Sequence, residues 1–136
     1  MAHFARIFAL GAIVLGLAFP PAIADDTPSL ESRIGDVFLR SMLNWRYDYA
    51  KMDTVKAGVA CIPWDSIDTA YLDEAIFDAL GFSFSVARDD AAVHIATQGC
   101  EQMKARAEIS GCACEAILID DRTVVTIPED AAARLR

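Results

Sequence analysis

The chain has 136 residues, with 20 acidic against 12 basic side chains and a formal charge of −8. That balance lacks the clustered Lys and Arg that a polyanion requires, which argues against nucleic acid and anionic membrane surfaces as partners. It favours attraction to a basic partner, and the length fits one domain that buries only about two-thirds of its unfolded surface, so covalent cross-links would help it.

The chain opens MAHFARIFALGAIVLGLAFPPAIADD. Arg6 supplies a positive start, and Ile7 to Phe19 form an apolar run that Pro20 and Pro21 interrupt. Ala22-Ile23-Ala24 then has the small-x-small form of a signal-peptidase site. A membrane span needs roughly 20 apolar residues, so the run is too short for one. Residues 1–24 therefore read as an export signal, and residues 25–136 as a single mature domain, periplasmic or secreted. No cysteine follows the apolar run to take a lipid anchor, and no membrane association is expected after cleavage. Losing residues 1–24 removes one base and no acid, which moves the charge from −8 to −9.

A first helix is expected after Ser29 or Thr27 as cap. Leu30, Ile34, Val37, Phe38, Ser41, Trp45, Tyr49 and Met52 recur at three- and four-residue steps, predicting one long helix with this stripe in the core. Trp45 and Tyr49 fall on the stripe, and Tyr47 falls off it. "TVKAGVACI", 54–62, is β-branched and short, a strand ended by Pro63. "DTAYLDEAIFDAL" predicts a second helix capped by Asp65 or Ser66 and stopped by Gly81. "FSFSVA", 82–87, alternates like a strand. Asp89-Asp90 suits the first turn of a helix whose inner face is Ala92, Ala96, Cys100, Met103 and Ala107. From 114 to 127 two strands flank an Asp-Asp-Arg turn, and Pro128 starts a last short helix. The fold class is thus α+β, with a long N-terminal helix and two further helices on a small, mainly antiparallel sheet.

Cys61, Cys100, Cys112 and Cys114 form an even set in an exported chain, which points to two disulfides. The two-residue period puts Cys112, Cys114, Ala116 and Leu118 on one strand face. A Cys112–Cys114 bond would be strained there. Of the two arrangements left, we favour Cys100 with Cys114, closing helix onto strand, and Cys61 with Cys112. A metal cage of Cys100, Cys112, Cys114 and His94 is the sharper alternative. It lacks paired C-x₂-C spacing, and His94 lies off the inner face. A redox pair of Cys112 and Cys114 lacks the C-x-x-C form, and Glu115 would raise rather than lower a neighbouring thiol pKa.

The segment from about 90 to 125 resembles small exported bacterial domains of unknown function, on the residues Ala92, Ala96, Cys100, Cys114, Ile117, Ile119, Asp120, Asp121, Val124 and Val125. In those domains a helix-ending Cys pairs with a strand-opening Cys, so the resemblance implies a Cys100–Cys114 bond and no activity. Cys112 is additional to the pattern. Cys61-Ile62-Pro63 with Cys100 is also similar in spacing to periplasmic immunity proteins of bacterial antagonism systems. Those proteins are mostly helical, unlike the β-rich end here.

Outside the signal, His94 is the single histidine, and no G-x-S-x-G or phosphate-binding glycine motif occurs. Asp120-Asp121 sits in a turn, where Asp is favoured by local hydrogen bonding. The expectation is a non-enzymatic module of the cell envelope, protein-binding or structural, that needs no metal or cofactor; a basic envelope protein is the partner its charge would attract. Two alternatives stand beside it. One is an acidic inhibitor or immunity factor against an envelope hydrolase; the other is a thiol–disulfide protein using Cys112 and Cys114.

Overall fold

Four α-helices, two short 3-10 turns and four strands are formed by the described residues, 27–136, in a computed structural model. The expected export signal, residues 1–24, lies outside them. Ser29 caps α1, Leu30–Asn44, by accepting the Ser32 N–H at 3.1 Å. β1, Ala57–Ile62, leads to α2, Thr69–Glu74, which Asp68 caps through the Tyr71 N–H. β2, Leu80–Ser83, α3, Asp89–Arg106, and β3, Ala113–Ile119, follow. β4, Arg122–Thr123, and α4, Glu129–Leu135, complete the chain.

The sheet is antiparallel throughout, in the order β2-β1-β3-β4. Helices cover both of its faces. On one, Ile34, Val37, Phe38 and Met42 of α1 join Ala60, Ile62, Ile117 and Leu118 in the larger core. On the other, Ala92, Ala96 and Cys100 of α3 meet Ala57, Val59 and Cys61. β1 runs between these layers with all six residues buried. A strand buried on both faces cannot alternate apolar with polar, which is why AGVACI reads as a continuous apolar run.

Small residues set the spacing of the α3 layer. A Cβ on Gly81 would collide with the Ala96 carbonyl oxygen and the Cys100 nitrogen, so only glycine lets the helix backbone lie on β2. The Ser83 hydroxyl donates to the Ala92 carbonyl at 2.7 Å across the same contact. On the opposite face, a Cβ on Gly58 would meet the Phe38 ring.

The long N-terminal helix expected to carry Leu30 through Met52 stops at Asn44. Arg46 adopts a left-handed φ of 67°. Its N–H donates to the Leu43 carbonyl and the Tyr47 N–H to the Met42 carbonyl, both at 2.9 Å. This pair of bonds is a Schellman termination, with Arg where glycine is usual. Trp45 therefore leaves the stripe and is exposed, while Tyr49 reaches the core from a separate 3-10 turn.

Four further expectations change. The second helix ends at Glu74, because Arg40 takes the Leu72 and Ala75 carbonyls that a continuing helix would use. The Ser41 hydroxyl likewise accepts the Phe77 N–H at 2.8 Å. Gly81, expected as a helix stop, lies inside β2. Leu118 does not share a face with Cys112, Cys114 and Ala116. The register slips between Gly58 and Val59, whose partners are Leu118 and Ala116, and this bulge turns Ile117 and Leu118 toward α1. The strand after the Asp-Asp-Arg turn is also only two residues long.

Candidate functional site

The cysteines come together on the α3 side of the sheet. Cys61 is bonded to Cys112, with Cα atoms 5.2 Å apart, and Cys100 to Cys114, with Cα atoms 6.1 Å apart. The first bond ties β1 to the start of β3, and the second ties α3 to β3. Cys112 and Cys114 thus go to different partners and form no dithiol pair with each other. No free cysteine occurs among the described residues. His94 is exposed on α3, and among the described residues no three His, Cys, Asp or Glu side chains gather where they could hold a metal ion.

Two tyrosines have perturbed ionisation. Burial raises the Tyr49 hydroxyl far above its ordinary value, with Asp120 and Asp121 adding to the shift. Burial, with Asp78, pushes Tyr71 up to about 12 against an opposing effect of Arg40. Both rings pack in or against the α1-side core, Tyr49 edge-on to Phe38 at 5.4 Å. Lys56 is buried beside Tyr49, donating to the Tyr49 carbonyl at 3.1 Å and lying 3.3 Å from Asp121. These groups fasten the 49–56 segment to the β3–β4 turn.

An apolar cleft lies where β2 forms the edge of the sheet. Its floor is Leu80, Gly81 and Phe82; Gln102, Met103 and Arg106 of α3, with Ala107 just past its end, wall one side. Trp45 and Tyr47 wall the other, around a cavity of about 530 Å³. Such a volume falls in the range of small-ligand clefts. Trp45 and Tyr47 are 47% and 49% exposed, and the Tyr47 ring lies 4.8 Å from that of Phe82. Leu43 and Phe84, at 60% and 52%, add exposed apolar surface on the elements that bound it.

Two helix ends build these walls. The Schellman turn after α1 presents Trp45 and Tyr47, and α3 ends in the same way. There Glu108 takes a φ of 54°, its N–H donates to Ala105, and the Ile109 N–H donates to Lys104. The turn finishes α3 just past Arg106 and Ala107. The stretch NWRYDY carries the aromatic residues in plain sight, but helical spacing assigns Trp45 to the core. Only the termination at Arg46 turns it outward.

β2 also leaves backbone groups unpaired. The Cys61 N–H donates to the Ala79 carbonyl at 2.9 Å, and antiparallel pairs alternate between bonded and non-bonded. Continuing that alternation makes Val59–Gly81 and Ala57–Ser83 the bonded pairs. Leu80 and Phe82 then turn their N–H and C=O groups away from β1, toward the cavity. The Leu80 N–H meets the Met103 sulfur at 3.5 Å, a weak acceptor.

Comparison with protein-family models, with curated proteins and with solved structures finds no match. Among the described residues no helix is long and apolar enough to cross a membrane.

Proposed function

We propose that residues 25–136 form an exported, non-enzymatic domain that binds a protein partner in the cell envelope. The observation that carries this reading is the open β2 edge, flanked by half-exposed Trp45 and Tyr47 and by exposed Phe84. Aromatic residues are enriched at protein interfaces because they combine large contact area with few torsions. An uncovered strand edge beside them offers main-chain hydrogen bonds as well. The two disulfides support an oxidising compartment, since such bonds persist outside the cytosol. The acidic surface supports a basic envelope partner drawn in by long-range attraction. This charge also favours the related reading of an acidic inhibitor of a basic envelope hydrolase.

The test is site-specific photo-crosslinking in the producing cell, from Tyr47 and from His94 on the exposed face of α3. A discrete adduct from Tyr47 and none from His94 supports the reading. Equal diffuse labelling from both positions overturns it.

A further inference from the structure

We propose that the β2 groove captures the C-terminal end of a partner chain, by strand addition to Phe82, with the terminal carboxylate on Arg106. The inference rests on the protein-binding reading and gives that surface a ligand chemistry.

Three features of the groove converge on this occupant. The backbone N–H and C=O of Phe82 face the cavity, and an extended segment laid alongside would exchange both bonds with it. The walls formed by Trp45, Tyr47 and Met103 then suit a bulky apolar side chain of that segment. Arg106 is the third feature. It is the one charged residue lining the groove, it is exposed, and its side chain makes no ion pair or hydrogen bond among the described residues. Most other cations of the domain are engaged: Arg33 with Asp73, Lys56 with Asp121, Arg122 with Asp89, Arg134 with Asp130.

A single unpaired guanidinium in the wall of an apolar groove matches a single carboxylate, which it can hold by two parallel hydrogen bonds. A chain terminus supplies that charge without an acidic side chain. It also suits a ladder that offers only Leu80–Ser83 for pairing, because a chain that ends requires no longer edge. An acidic internal segment fits less well, since a domain of charge −9 repels a ligand rich in acids.

The experiment uses the oxidised protein, residues 25–136, and a library of short random peptides displayed with free C-termini. Peptides enriched on the wild-type domain should share a bulky apolar last residue. Made as free acids, they should bind about tenfold more tightly than as C-terminal amides. Arg106→Gln should cost a similar factor with the acid and nothing further with the amide. The Phe82 amide should gain hydrogen-exchange protection on binding. Enriched peptides that bind equally well as amides, or that bind Arg106→Gln undiminished, overturn the proposal, as does a library with no enrichment over Arg106→Gln. The broader reading is tested separately through the Tyr47 crosslink. If that adduct forms in wild-type and Arg106→Gln cells alike, protein binding stands and the terminal-carboxylate assignment falls.

Discussion

Cys61 and Cys114 stand directly opposite one another on β1 and β3, yet neither is bonded to the other. Cys61 reaches along β3 to Cys112, and Cys114 reaches up to Cys100 on α3. The two bridges therefore share one patch of sheet. In Cys112→Ser the freed Cys61 thiolate would attack the Cys114 sulfur, form Cys61–Cys114 and release the Cys100 thiolate. Peptide mapping after alkylation at mildly alkaline pH should find Cys100 labelled. A map with Cys61 labelled and Cys100–Cys114 intact would show that the sheet holds these sulfurs too rigidly to exchange.

Removing each bridge whole separates their energetic roles. The bonds close loops with sequence separations of 51 and 14 residues. Loop-closure entropy then gives about 4 kcal/mol for Cys61–Cys112 and about 3 kcal/mol for Cys100–Cys114. Chemical denaturation of the paired Cys→Ala variants should rank them in that order. The reverse order would mean that native packing of α3, rather than restriction of the unfolded chain, dominates.

The turns that form the groove are strained. Arg46 and Glu108 hold φ values of 67° and 54°, a region that costs an L-residue roughly 1–2 kcal/mol. Glycine avoids that cost but loses about 0.5–1 kcal/mol through a freer unfolded chain. Arg46→Gly should accordingly raise stability by up to about 1 kcal/mol, read as a higher urea midpoint with unchanged m-value. A lower midpoint would show that the Arg46 side chain makes a compensating contribution.

Tyr49 is 2% exposed, and its hydroxyl has no hydrogen-bond partner among the described residues. Leaving a buried hydroxyl unpaired costs about 1–3 kcal/mol, whereas the ring itself packs well against Phe38. Tyr49→Phe should stabilise the domain by about 1 kcal/mol in thermal or urea unfolding. A loss of stability would reveal a bond to the hydroxyl that forms in solution.

Alkaline pH should weaken the fold through Tyr71. Burial holds its folded-state pKa at about 12, above an unfolded value near 10. Between those values the folded state keeps a proton that the unfolded state releases, so stability is intact below about pH 10 and falls as pH rises toward about 12. Tyr71→Phe should flatten part of that decline, even though it removes the bond from the hydroxyl to the Ile76 carbonyl at 3.2 Å. A slope unchanged by the substitution would assign the alkaline transition to other groups.

Local pattern determined the elements whose partners are near in sequence or whose faces are uniform. The expected stripe of small residues at helical spacing holds for Ala92, Ala96 and Cys100, the buried residues of α3, whereas Met103 is half-buried and Ala107 lies exposed past the end of the helix. The apolar run that became β1 is similarly self-evident, because a central strand has no wet face to mark. Tertiary contacts decided the rest. Arg40 and Ser41 take backbone groups between Leu72 and Phe77 and stop α2, though the residues beyond Glu74 still carry helical spacing. One bulge reverses Leu118, which strict alternation assigns to the cysteine face. The groove itself was hidden for a related reason. Its walls depend on two helix ends made by Arg46 and Glu108 in a conformation that side-chain type does not announce. Hydrophobic periodicity reports which face of a helix is buried, but the energy that ends a helix comes from backbone bonds formed only once the chain has turned.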